Sequence, residues 1–239
     1  MSSEFAEKNR QAFEEKSRTY RAEFPKVVDD LVNAFQIHRN WFSDTWTDTS
    51  AGKNKDVKML EYACGPGHIS LTLAPFVSRV VGMDISEGMI EEFNKNAREA
   101  GHSDTVVGVK ADILSESMPA AVAGPEYFDF DLVVVSMALH HFEHPEQALK
   151  RLGERLKKGG MMIIMDMVPE EHHDHGLSQM GDIAHTISKH GFSLEEMRTM
   201  WEDAGLKTGF KYQILDKPLE FNRNGKIFFK TIFMARAQK

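Results

Sequence analysis

Lys58-Met59-Leu60-Glu61-Tyr62-Ala63-Cys64-Gly65-Pro66-Gly67-His68-Ile69-Ser70 reads as a strand that runs into a tight glycine turn and out into the start of a helix. Gly65 and Gly67 bracket a proline, so the turn can take backbone angles that side chains forbid. A helix that begins just after it aims unpaired N–H groups and its positive dipole end at the same spot. Such a turn holds a nucleotide-like ligand or a carboxylate against bare main chain. Taken alone, it is equally a plain strand-to-helix turn.

The residues that follow narrow the reading. Arg79 to Asp84 is a second short apolar run ending on a carboxylate, and Asp84 lies 17 positions beyond Gly67. That spacing suits a βαβ unit whose second strand ends on an acid that accepts hydrogen bonds from ribose hydroxyls. Val106 to Asp112 repeats the pattern. An acid at a strand end is often only a helix cap, but two of them and one glycine turn would face a single crevice. Ser86 can cap the next helix, whose Met89, Ile90, Phe93 and Ala97 form one apolar face.

At these residues the chain resembles the class I, Rossmann-like S-adenosylmethionine-dependent methyltransferases of the small-molecule type. Glu61 to Gly67 follows that family's acid-x-Gly-x-Gly-x-Gly motif with one departure, Ala63 in place of the first glycine. The resemblance runs from about Val57 to Asp166 and continues more weakly to the C-terminus. It implies S-adenosylmethionine as cofactor. On the matching positions it assigns cofactor binding to Glu61, Ala63, Gly65, Gly67, Asp84, Ile85, Met89, Asp112, Ile113 and Ser136. A core role explains Met89 equally well. Tyr20, in a charged N-terminal helical stretch with Phe13, is the residue of a cofactor-covering lid, or else belongs to a packing helix without ligand contact.

The expected fold is α/β: a doubly wound, mostly parallel, seven-stranded sheet with a C-terminal antiparallel hairpin and an N-terminal helical lid. The lid covers residues 1–50 and the methyltransferase domain 51–239, with a lid insertion at about 167–205. Phe128 to Ser136, nearly continuous in β-branched and apolar residues, fits a central strand buried on both faces. Met161 to Met165 is the next strand. Leu177 to Met200 is mostly helical, and Gly209 to Leu215 should pair antiparallel with Lys226 to Arg236.

Composition excludes several functions. Apolar residues make up 41% of the 239, enough for a sizeable core, and the net charge of −7 disfavours life on phosphate backbones, so no nucleic-acid partner is expected. The single cysteine, Cys64, rules out an internal disulfide and a multi-cysteine zinc site. No apolar run approaches a membrane span and no signal peptide is apparent, so a cytoplasmic monomer or homodimer acting on a small molecule is expected.

The chemistry follows from what stands at the end of the Phe128–Ser136 strand. Amino-methylating enzymes of the resembled family carry Asn or Asp, two prolines and an aromatic residue there. This chain has Ser136-Met137-Ala138-Leu139, so an O, S or C nucleophile suits it better. His140 and His141 are the candidate catalytic residues, with His141 as base, cofactor contact or packing group. His172, His173 and His175 form either a divalent-metal tract or a solvated loop, and no metal is assigned. A nicotinamide cofactor fits less well, because Ser70 stands where the dinucleotide fingerprint wants its third glycine. A domain that binds S-adenosylmethionine without catalysis stays open.

Overall fold

The computed structural model describes residues 3–170, 181–223 and 225–239. Helix α1 (Glu4–Lys16) starts at Ser3, whose side chain accepts the Ala6 N–H. A single turn, α2 (Tyr20–Glu23), precedes α3 (Pro25–Phe42), which opens on a proline at the position where its missing N–H does no harm. Then come β1 (Lys58–Tyr62), α4 (His68–Leu73), β2 (Arg79–Asp84), α5 (Glu87–Glu99), β3 (Val106–Lys110) and β4 (Phe130–Ser136). They are followed by α6 (Pro145–Arg155), β5 (Leu156–Met167), α7 (Leu194–Asp203), β6 (Thr208–Ile214), β7 (Leu219–Arg223), β8 (Lys226–Lys230) and β9 (Ile232–Gln238).

The main sheet has seven strands in the order β3-β2-β1-β4-β5-β9-β6. The first five are parallel, and β9 runs antiparallel between β5 and β6. Successive residues of each central strand face opposite layers. Met59, Val80, Leu132 and Ile163 pack with α3, α4 and α5, whereas Leu60, Val81, Val133 and Ile164 pack with α6 and α7. Burial on both faces is why these strands read as continuous apolar runs.

Chain order reverses between β1 and β4, since β1 leads outward to β2 and β3 while β4 leads to β5. At such a switch point the crevice outside the carboxyl ends of the strands is open for a ligand. Residues 63–67 and 137–142, which leave β1 and β4, therefore border one crevice.

Three expectations need correction. The run Lys226 to Arg236 is not one strand: it breaks at Thr231 into β8 and β9. β9 pairs with β6, while β7 and β8 form a separate two-stranded hairpin that packs beside α3. Both halves are rich in aromatic and β-branched residues, so the composition carries no mark of the break. Among the described residues of 177–200, helix is limited to a 3-10 segment at Gly181–Thr186 and to α7, which starts at a capping box between Ser193 and Glu196. β5 also begins earlier than expected, directly after α6.

Candidate active site

A cavity of about 650 Å³ lies over the crevice. Its floor is the glycine turn and the strand ends, and α1 roofs it with Phe5, Ala6, Asn9 and Phe13. The turn is held in left-handed backbone at Ala63 (φ 55°), Gly65 (φ 50°) and Gly67 (φ 87°). Met137, just past β4, has φ 51°. Ala63 and Met137 thus store the strain of about 1–2 kcal/mol that a side chain suffers there, side by side at the cavity floor.

Gly65 and Gly67 serve different ends. A Cβ on Gly65 would meet only the Met89 sulfur, at 3.9 Å, so this glycine presents open main chain to the cavity. A Cβ on Gly67 would run into the Phe93 ring at 2.6 Å. The same ring rests on Gly82 and Gly108, so α5 can approach the sheet only where three residues lack side chains. Gly67 accordingly lies outside the cavity lining and acts through packing.

Acids dominate this end. Asp84 accepts the Gly65 N–H and the Ser86 N–H, each at 2.9 Å, which pins the turn to β2. Burial pushes its carboxyl up to about 6 against those two bonds. Glu61 accepts both the backbone N–H (2.8 Å) and the hydroxyl of Ser70, so it ties β1 to the first turn of α4. Burial pushes it up to about 8, with the Ser70 bonds opposing. Asp112 caps its own turn through the Leu114 N–H and reaches the cavity wall. Tyr20 lines the same end, its phenol pushed up to about 12 by burial and then by the charges of Asp84 and Glu61.

The other end is assembled from distant segments. His141 sits in a 3-10 turn after β4, with its Nδ1 at 2.9 Å from the Thr186 carbonyl. A carbonyl only accepts, so Nδ1 carries the proton and Nε2 is left with a lone pair. Burial, followed by the neighbouring His140, holds the imidazole well below its usual range, so it is neutral near pH 7. Phe13 meets it edge-on at 5.0 Å between centroids. The Thr186 carbonyl is itself positioned because the Ser188 and Lys189 N–H groups donate to the His140 carbonyl.

Glu14 fastens the roof. Its carboxylate accepts the Ser86 hydroxyl (2.8 Å) and the Gly88 N–H (2.9 Å) at the start of α5. Burial raises this carboxyl, but the bonds from α5 outweigh it and hold the group below its ordinary value.

Of the candidate residues, Tyr20, Glu61, Ala63, Gly65, Asp84, Ile85, Met89, Asp112, Ser136 and His141 all line the cavity. Gly67, Ile113 and His140 do not. Ile113 is fully buried in the α6 layer, where its carbonyl accepts from Arg151. His140 is 4% exposed and turned inward. Its Nδ1 donates to Asp166 Oδ1 at 2.7 Å, and its ring backs His141 at 4.0 Å. Two adjacent histidines at a strand end cannot both face one cavity, and the partner that draws His140 away is Asp166 at the end of β5. Asn9, Glu14, His68 and Thr186 escaped the sequence reading. Glu14 figured there as no more than one of the many charges of the N-terminal helical stretch. His172, His173 and His175 lie outside the described residues, and among the described ones no cluster of three or more potential metal ligands occurs. Cys64 is buried and its thiol is pushed well up by burial and the nearby acids.

A family model described as a methyltransferase domain matches residues 33–208. The chain belongs to this methyltransferase family. It is 28% identical over 190 residues to an uncharacterised methyltransferase of Schizosaccharomyces pombe, covering 74% of this chain and 58% of that protein. It is 30% identical over 145 residues to the ubiquinone/menaquinone biosynthesis C-methyltransferase UbiE of Blochmanniella pennsylvanica, covering 59% and 52%. The chain thus spans little more than half the length of these relatives. The crystal structure of the YcgJ protein of Bacillus subtilis superposes with a TM-score of 0.62 over 77% of this chain and 92% of that one, at 19% identity, a likeness of fold. No helix among the described residues is long and apolar enough to cross a membrane. S-adenosylmethionine is the cofactor that goes with family membership, and the residues present fit it: Gly65 opens bare main chain to the cavity, and buried acids stand ready for hydroxyl and amino donors.

Proposed function

We propose that this chain transfers a methyl group from S-adenosylmethionine to a small-molecule acceptor through an O, S or C nucleophile. Asp84 and Asp112 would hold the donor's ribose and adenine groups. Ala63, Gly65 and Ser136 would border its amino-acid portion, and Ile85 and Met89 would supply apolar walls. Tyr20 would cover it from above. When bound, the cofactor supplies a methyl group already activated on sulfonium, so the protein's tasks are alignment and exclusion of water. α1 performs the second task by roofing the cavity with Phe5 and Phe13.

The observation that carries the reading is the setting of His141: it lines the cavity, its Nδ1 bonds to the Thr186 carbonyl and so leaves the lone pair on Nε2, and burial holds its imidazole well below the usual range. That is a base for removing a proton from a hydroxyl, a thiol or an acidic C–H as the nucleophile attacks. His140 and Asp166 keep the imidazole from rotating toward the core. A C-methyltransferase among the relatives is compatible with this base.

The test is a screen of phenols, thiols and carboxylic acids with methyl-labelled S-adenosylmethionine, read by mass spectrometry of the products. Methylation of at least one class by the wild type, lost in His141→Ala while S-adenosylhomocysteine still binds, supports the reading. Binding without methylation of any class favours a non-catalytic binding module.

A further inference from the structure

Five buried side-chain atoms among the described residues have no hydrogen-bond partner: Asn9 Oδ1, His68 Nε2, Ser136 Oγ, Trp201 Nε1 and Arg236 Nε. Three of these residues, Asn9, His68 and Ser136, line the cavity. Buried polar atoms are ordinarily paired, so orphans gathered at one cavity mark where a ligand's polar groups go.

Asn9 is the most informative of the three. It is 4% exposed, and its Nδ2 donates to the Phe5 carbonyl one turn earlier at 3.1 Å. Because a carbonyl cannot donate, the amide is fixed with nitrogen toward Phe5 and Oδ1 on the other side. Oδ1 can only accept. Phe13, four residues on and on the same helix face, is the ring that meets His141. Asn9 therefore stands about 6 Å along the roof, just over one helical turn, from the residue whose ring covers the base. In the methyl-transfer reading, the cofactor's hydroxyl and amino groups go to Asp84 and Asp112.

We propose that Asn9 Oδ1 selects the acceptor, accepting a hydrogen bond from a donor group that the acceptor carries beside the atom to be methylated. The inference rests on the methyl-transfer reading above. The nucleophile's own proton goes to His141 Nε2, so the group read by Asn9 is a second hydroxyl or N–H, one that keeps its proton. The acceptor class is then a compact, largely apolar molecule with a nucleophile and a neighbouring donor, seated between Asn9, Phe13 and His141.

The experiment is calorimetric titration of protein saturated with S-adenosylhomocysteine by pairs of probes that differ in one donor. The pairs are phenol and catechol, thiophenol and ortho-mercaptophenol, and benzoic and salicylic acid. In at least one pair the wild type should bind the donor-bearing member about tenfold tighter, as expected when a buried acceptor is satisfied. Asn9→Leu should erase that preference, Asn9→Asp should keep it, and affinity for S-adenosylhomocysteine should stay within about twofold in all three proteins. Three outcomes overturn the proposal. They are no discrimination in any wild-type pair, a preference that survives in Asn9→Leu, and a parallel loss of S-adenosylhomocysteine affinity, which would place Asn9 on the cofactor. Failure of the wild type to bind S-adenosylhomocysteine would instead overturn the methyl-transfer reading beneath it.

Discussion

At the glycine-turn end of the cavity, the groups that face a ligand come from the carboxyl ends of three neighbouring strands, β1, β2 and β3, and several of them are main chain. At the His141 end they come from α1 and from the turn after β4, with His141 held from behind by the Thr186 carbonyl. The first end is made by topology: parallel strands deliver their ends to one edge whatever the side chains beyond them. The second end depends on tertiary contacts, because Phe13 and Thr186 reach His141 from elements far apart in sequence. The strand-built end should therefore control cofactor affinity, and the assembled end should control turnover and acceptor choice.

The largest expected effect is on turnover. His141→Ala should lower kcat on an identified acceptor by about a hundredfold or more, the range for a general base, with S-adenosylhomocysteine affinity unchanged. The wild-type rate should also hold as pH falls to 6, because an imidazole held well below its usual range stays neutral there. A rate that drops with a midpoint near 6.5 would show an ordinary histidine.

Asp84→Asn should act on the other side of the comparison. Loss of the charged acceptor should weaken S-adenosylhomocysteine binding by about 1.5–3 kcal/mol, with kcat at saturating cofactor nearly unchanged. Titration calorimetry checks the first and steady-state kinetics the second.

Glu61 sets a pH dependence of stability. Its carboxyl lies near 8 in the folded chain and about 4.5 when unfolded, so the folded protein holds an extra proton between those values. Stability should fall as pH rises through that window, at most by about 1.4 kcal/mol per pH unit. Glu61→Gln should flatten the slope of Tm against pH between 5 and 8. An unchanged slope would remove Glu61 as its source.

Glu14→Gln is the mildest test. It weakens the fastening of α1 to the start of α5, so S-adenosylhomocysteine should dissociate about two- to fivefold faster in stopped-flow release, with little change in Tm. Release at the wild-type rate would mean that α1 stays closed without this contact.

The strand-built end was legible in the sequence because its logic is local. Glu61, Gly65 and Asp84 sit at spacings that a βαβ unit imposes, and the resemblance of that stretch to a methyltransferase motif needed no distant contact. Gly67 was legible as a glycine but not as a packing glycine, since its partner Phe93 lies on another element. His141 stood out as a histidine at a strand end. That its twin His140 turns inward depends on Asp166 at the end of the adjacent strand β5, a pairing that only the sheet order reveals. Asn9 looked like one polar residue in a charged helix. What distinguishes it is an unpaired oxygen in a buried place, and burial of an N-terminal helix against a cavity is a tertiary property. The β7–β8 hairpin was missed for a related reason: β8 and β9, joined at Thr231, share the composition of a single strand.

The division of the cavity into a strand-built cofactor end and an assembled catalytic end is tested most directly by titrating S-adenosylhomocysteine into the wild type, Asp84→Asn, His141→Ala and the double variant. The account predicts that Asp84→Asn and the double variant lose the same affinity, about ten- to a hundredfold, while His141→Ala matches the wild type. A loss in His141→Ala as large as that in Asp84→Asn would contradict it, and would make His141 part of the cofactor's own binding site.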